Sequence, residues 1–249
     1  MIRRIEDWSP QFDRICGADV FGTRTAGYYR TYGSDFADVS FYAQFSSNDT
    51  CTGVLSSAFG NGSLSVTPDA DLSEWAQFHR FFGLQTLLCS KGTAQKMNLP
   101  ETEGGFVMQY RKSERIANPA AISPFDANFS YREVYELLTQ CGFSLGAYEP
   151  WFGDLALRVQ RHAANVLVIR AASAVSTASV LFDSGSAVYL GAVATHPDAR
   201  GRGLAGDLVL HLAQCGKRAE ILCKAHRVSF YTSLGFSKIG EFSLCHFST

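Results

Sequence analysis

The run Arg200-Gly201-Arg202-Gly203-Leu204-Ala205-Gly206 has the residue types and spacing to hold an anion. It lies between a continuous small or apolar stretch, Ser186 to Thr195, and a segment in which Leu204, Leu208 and Leu212 repeat at helical spacing. The spacing therefore predicts a buried strand, a loop and an amphipathic helix. A helix N-terminus offers unpaired backbone N–H groups and a partial positive charge. Glycine lets the backbone approach a bulky anion, and Arg200 and Arg202 add forked donors that match phosphate oxygens. Together these make a cradle for a pyrophosphate. The plain alternative is a surface turn that happens to contain glycines and arginines.

The same string satisfies G-x-G-x-x-G through Gly201, Gly203 and Gly206, the fingerprint of a dinucleotide-binding strand–turn–helix. Two features argue against that use. His196 to Arg200 separate the glycines from their strand, and the next strand, read as Ile221 to Cys223, ends at Lys224 rather than at an acid. A nicotinamide oxidoreductase is therefore only the third reading.

The elements that must position the loop follow from the pattern. Tyr131 to Gln140 reads as a helix with Val134, Leu137 and Leu138 on one face, and a second helix is expected after Pro150, carrying Leu155 and Val159. Asn165 to Arg170 and Ser176 to Phe182 read as strands, with turn residues at Asp183-Ser184-Gly185. Gly216 is expected to end the helix that the loop opens. Val228 to Leu234 reads as a short helix stopped by Gly235, and Lys238 to Phe247 as extended chain.

With the loop and the later Phe230-Tyr231-Thr232-Ser233-Leu234-Gly235-Phe236 in that order, the second half resembles the GNAT superfamily of N-acetyltransferases. The loop signature of that family, Q/R-x-x-G-x-G/A, is met by Arg200, Gly203 and Ala205. The family's short helix, bearing a tyrosine and ending in Gly-Phe, is met by Tyr231, Gly235 and Phe236. The resemblance is clear from Val166 to Phe242 and extends over Tyr131 to Thr249. It implies a mixed α+β fold with a central, mostly antiparallel sheet flanked by helices, and acetyl-CoA as cosubstrate. It further implies that the backbone of Ala192, Val193, Ala194 and Thr195 pairs with the pantetheine arm. The N–H groups of Gly201, Arg202, Gly203, Leu204 and Ala205, with Arg200 beside them, would hold the pyrophosphate. Tyr231 matches the acid that protonates the departing thiolate; the competing reading is a packing tyrosine, since Val228, Tyr231 and Leu234 also form a helical stripe. An amine acceptor, a small molecule or a peptide, would attack the thioester directly; relatives often dimerise, which leaves the oligomeric state open between a monomer and a homodimer.

The sequence departs from the family in two places. No carboxylate stands on Ser186 to Thr195, where many relatives carry a glutamate, so the general base is unassigned among Asp183, Glu149, Asp154 and a water chain. His196 reads as a loop histidine. Lys224 stands where relatives often have asparagine. Asp154 and Arg158, four apart, read as a helix-surface pair. A cofactor-binding module without turnover is the rival function, favoured by the missing carboxylate.

Composition bounds the rest. The 249 residues carry a formal net charge of −1, with 46% hydrophobic and 18% charged residues, which does not suit a nucleic-acid binder. No apolar run approaches the ~18 residues of a membrane span, and the start does not read as a signal peptide. Seven scattered cysteines without a CxxC pair predict buried free thiols, no metal site and a reducing cytoplasm. Charges, Asn118-Pro119 and Ser123-Pro124 between Arg111 and Phe129 divide the chain into an α+β domain over 1–115, a linker over 116–130 and the GNAT-like domain over 131–249. In the first half a helix carrying Leu72, Trp75, Phe78 and Phe82 follows Thr67-Pro68-Asp69, much as the later helix follows Thr195-His196-Pro197-Asp198. The first half could thus be a degenerate GNAT half. It lacks loop glycines, and Asp69 and Asp71 would repel a pyrophosphate and suit helix capping instead. Its expected role is to wall the acceptor pocket.

Overall fold

The computed structural model describes residues 1–115, 117, 118 and 130–247. After a short strand β1 (Ile2–Arg4), the first half runs α1 (Pro10–Cys16), α2 (Val20–Tyr32), β2 (Val39–Phe45), β3 (Cys51–Ala58), β4 (Asn61–Val66), α3 (Leu72–Phe82), β5 (Thr86–Ser90), α4 (Lys91–Lys96) and β6 (Glu101–Tyr110). The second half repeats the order: α5 (Tyr131–Gln140), α6 (Tyr148–Gln160), β7 (Asn165–Arg170), β8 (Ala174–Asp183), β9 (Ala187–Thr195), α7 (Leu204–Ala213), β10 (Arg218–Cys223), α8 (Val228–Ser233) and β11 (Phe236–His246). Strand directions repeat as well. β2, β3 and β4 are antiparallel neighbours, and α3 crosses to β5, which is parallel to β4. β7, β8 and β9 are antiparallel neighbours, and α7 crosses to β10, which is parallel to β9. The protein is thus mixed α+β with mostly antiparallel pairing, as the sequence led us to expect.

By packing, the chain forms two compact units. The first holds Met1–Met108, Leu222–Ser229 and the described residues from Lys238 on; the second holds Gln109–Ile221 and Phe230–Ser237. Where the sequence suggested one division at 116–130, the C-terminal stretches return to the first unit. The reason is strand pairing: Phe242–His246 of β11 runs antiparallel to Thr86–Ser90 of β5. Of the expected linker, residues 116 and 119–129 lie outside the described residues.

The first unit orders its strands β1-β2-β3-β4-β5-β11-β6. Its core joins Leu55, Leu64, Trp75, Leu87, Cys89 and Cys245. α3 forms where the sequence places an apolar stripe, and Trp75 is buried beneath it. Asp71 caps this helix, its carboxylate accepting from Ser73 N at 2.9 Å and Glu74 N at 3.1 Å. Asp71→Ala is expected to cost about 1 kcal/mol of stability, the usual worth of an N-cap, and to leave cofactor affinity unchanged. Chemical denaturation and a CoA titration check both halves of that statement.

The second unit orders its strands β10-β9-β8-β7. Val134, Leu137 and Leu138 of α5 and Leu155 of α6 pack on Val166, Val168 and Ala194. Two boundaries differ from expectation. α6 begins before Pro150, because a proline is tolerated in a first turn whose N–H groups lack helical partners anyway. α7 ends at Ala213 with Gln214 as its cap, and Gly216 turns the chain beyond it with φ +80°.

Candidate functional site

β9 is held on one side by β8 and on the other by β10, but not evenly. Its pairing with β10 runs from Ala187↔Arg218 to Leu190↔Ile221, so Gly191–Thr195 lie past the last pair. On the β8 side the register steps from Ser179↔Gly191 to Thr177↔Ala194, so Ala192 and Val193 together face Ala178. This is a β-bulge, and Ala192 sits in it with φ +49°. A non-glycine residue in that region costs of order 1 kcal/mol or more, and bulges of this kind re-aim backbone groups beside active sites. Ala194 is buried in the core and anchors the strand just past the bulge.

Beyond Thr195 a 3-10 turn, Pro197–Ala199, carries the chain into the glycine loop. His196 caps this turn through Nδ1, which accepts from Asp198 N at 3.4 Å, and its side chain is part-exposed, in keeping with a loop histidine. Arg200 Nε donates to Thr195 O at 3.2 Å and Arg202 Nη2 to Asp198 O at 3.3 Å, so both guanidinium groups fold against the loop. Gly201 and Gly203 are both left-handed at φ +79°, a conformation glycine adopts without a Cβ penalty. Gly203 is the N-cap of α7 and no side chain caps that helix. The contrast with α3, whose first N–H groups are taken by Asp71, is direct: at α7 they are left for another partner.

Tyr231 lies in α8, 6% exposed, its ring edge-on to Phe230 at 5.0 Å and to Phe236 at 5.8 Å. Leu234, one turn on, comes within 3.2 Å of a Cβ built on Gly206, which ties the tyrosine segment to the first turn of α7. Gly235 has φ +87°, and its carbonyl accepts from Arg111 N at 3.0 Å.

The carboxylates weighed from sequence are mostly committed elsewhere. Asp183 pairs with Lys217 at 2.6 Å and stands opposite Val188, before the bulge. Asp154 pairs with Arg158 at 2.5 Å. That pair is not the surface pair expected: Arg158 is 7% exposed, donates to Leu181 O at 2.6 Å and lies over the Phe182 ring. Glu149 is exposed on α6. Lys224 is taken by Glu103 at 2.6 Å, and its hydrogen bond holds the Glu103 carboxyl below the ordinary carboxylate range.

Two groups were missed by sequence reasoning. Glu220, 1% exposed on β10, faces Tyr189 in register and is held by Arg218 at 3.2 Å and Gln109 Nε2 at 3.4 Å. It was passed over because β10 begins three residues before the strand read from Ile221. Arg115, in the charged stretch read as connection, reaches the loop: Nη2 lies 2.6 Å from Asp207 Oδ1 and 3.2 Å from Gly203 O. No sequence pattern marked it.

The acetyltransferase (GNAT) domain family matches residues 162–238, which span β7, β8, the bulged β9, the loop, α7, β10 and α8. Over this stretch the chain is similar to GNAT acetyltransferases. The match covers the bulge, the glycine loop and the tyrosine helix together. A GCN5-related N-acetyltransferase from Sphaerobacter thermophilus superposes with a TM-score of 0.62 at 13% identity, over 98% of this chain and 94% of that one. A tandem GNAT protein from the clavulanic acid biosynthesis pathway does so with 0.56 at 12% identity, over 98% and 97%. A GCN5-related N-acetyltransferase from Kribbella flavida gives 0.54 at 11% identity, over 80% and 87%. At such identities these likenesses show a shared fold. No curated protein matches the sequence.

The dinucleotide reading gains nothing from the structure. The 3-10 turn separates the glycines from β9, β9 has the antiparallel β8 as a neighbour, and β10 ends at Cys223. Five of the seven cysteines are buried, Cys141 is half-buried and Cys215 exposed, all as free thiols. Burial pushes Cys245 up to about 11 and raises Cys16 and Cys89 as well. Among the described residues no cluster of His, Cys, Asp and Glu could hold a metal, and no helix is long and apolar enough to cross a membrane.

Proposed function

We propose that the protein is an acetyl-CoA-dependent N-acetyltransferase that moves an acetyl group to a primary amine. The observation that carries this reading is the uncapped start of α7 behind the left-handed Gly201 and Gly203, next to a bulged strand whose last residues lie beyond their β10 partners. The loop N–H groups from Gly201 to Ala205 receive the pyrophosphate, with Arg200 and Arg202 at its edge. The backbone of Ala192 to Thr195, past the last β10 pair, takes the pantetheine arm. The peptide re-aimed by the bulge at Ala192 and Val193 polarises the thioester carbonyl, as an oxyanion hole does.

The amine nitrogen attacks the carbonyl carbon and the C–S bond breaks. Tyr231 gives its phenolic proton to the departing thiolate, and the proton lost by the amine leaves through water. Water is assigned that role because Asp183 and Asp154 are held in ion pairs. Holding donor and acceptor together supplies most of the rate advantage. We further propose that the first half is a GNAT-like half without a cofactor, since Asp71 occupies the helix start that a pyrophosphate would need. The second reading is a cofactor-binding domain without turnover, favoured by the absence of a carboxylate on β9.

Thermal unfolding with acetyl-CoA, CoA and NAD tests the cofactor. A ligand at ~100 times its dissociation constant adds about 2.7 kcal/mol. Acetyl-CoA and CoA are expected to raise the midpoint and NAD to leave it unmoved. A folded protein that neither CoA species stabilises would refute the proposal. Turnover with any member of an amine panel excludes the non-catalytic reading.

A further inference from the structure

The loop has an electrostatic problem of its own making. Asp207 lies in the first turn of α7, its N–H bonded to Gly203 O at 3.1 Å, and its side chain is only 16% exposed. A carboxylate there suits the helix dipole but repels a phosphate arriving at the same N–H groups. Arg115 answers it. Its Nη2 pairs with Asp207 Oδ1 at 2.6 Å, a charge-assisted contact, and also donates to Gly203 O at 3.2 Å.

The loop is shaped to admit that guanidinium. A Cβ on Gly203 would stand 3.1 Å from Arg115 Nη2, and one on Gly206 would stand 3.0 Å from Nη1. Glycine at these two positions therefore serves the arginine's approach as well as the anion's. The arginine's backbone is tied down too: its N–H donates to Ser113 Oγ at 3.1 Å, and its carbonyl accepts from Gln214 Nε2 at 3.4 Å, near the far end of α7.

We infer that Arg115 is a positioning residue of the cofactor site, which cancels the charge of Asp207 and so keeps the start of α7 receptive to the pyrophosphate. This rests on the cofactor reading above. It assigns a site function to a residue well outside the loop, and it makes a pairwise claim: the arginine is needed only because the aspartate is there.

The test is an equilibrium titration of CoA, and of dephospho-CoA, into the full chain and its Arg115→Met, Arg115→Lys and Arg115→Met/Asp207→Asn variants, with unfolding midpoints measured alongside. Arg115→Met is expected to weaken both ligands about tenfold, the effect of one charge-assisted contact. Arg115→Lys keeps the charge and is expected to stay within about threefold of the parent protein, and the double variant to recover to about the same range. Equal loss for dephospho-CoA places the effect at the pyrophosphate. Should the methionine variant not fold, Arg115→Gln takes its place. Parent-like affinity in Arg115→Met, or a double variant as weak as the single one, would overturn the inference while leaving the cofactor reading intact. If the folded parent chain binds no CoA, the cofactor reading itself fails, and the inference with it.

Discussion

Tyr231→Phe is expected to lower kcat by about a hundredfold or more while leaving KM for acetyl-CoA unchanged. A positioned general acid typically contributes 10²–10⁴ to rate, and the proton it gives to the thiolate matters only in the transition state. The substitution keeps the ring, and with it the edge contacts to Phe230 and Phe236. Stability should therefore change little, which separates this outcome from a folding defect. The burial of Tyr231 makes the test a sharp one, because a tyrosine 6% exposed and packed on two phenylalanines could serve the core alone. Steady-state kinetics decides: an unchanged kcat would return Tyr231 to a packing role and leave the departing thiolate to be protonated by water.

Gly235→Ala is expected to destabilise the second unit by about 3 kcal/mol, summing a strained left-handed residue and a forced backbone shift. The position has φ +87°, and a Cβ there would stand 2.0 Å from Lys112 O. That partner is backbone and cannot rotate away. In a chain of this size the loss corresponds to roughly 6–12 °C in unfolding midpoint. Thermal unfolding of the purified variant gives the answer, and a midpoint within about 2 °C of the parent would show that the Lys112 segment yields freely. The glycine of the Gly-Phe pair thus has a packing reason, separate from the role proposed for the tyrosine four residues earlier.

Much of the second half was legible because its signals are local. Val134, Leu137 and Leu138 define α5, and the Val, Leu and Ile of residues 165–170 define β7, both with the bounds read from sequence. The loop's place between a strand and a helix was legible because its glycines interrupt two apolar segments of different period. The first half was harder to read for a physical reason. α2 buries Gly22, Thr23, Thr25 and Gly27 alongside Val20, Phe21, Ala26 and Tyr28, so small and polar residues interrupt its apolar face; its hydroxyl groups are satisfied inside, as where Thr25 meets Ser56 at 3.0 Å. β6 opens Glu-Thr-Glu-Gly-Gly, and the second glycine is there because a Cβ would stand 2.4 Å from Cys223 O. Such requirements come from chain neighbours far away in sequence. The same holds for the return of β11 to β5, which no local pattern announces. In the site, the bulge at Ala192 and the reach of Arg115 are tertiary facts, whereas the repeated order of elements was hinted at by the two short Thr-Pro-Asp-like approaches to α3 and α7.

On the proposed reading this chain binds acetyl-CoA once, at the open start of α7, and not at the start of α3, which Asp71 already occupies. Calorimetric titration of acetyl-CoA into the intact protein measures that directly. Saturable binding with one site per chain is the expected result. A folded protein that takes up no ligand, or one that binds two per chain, would contradict it.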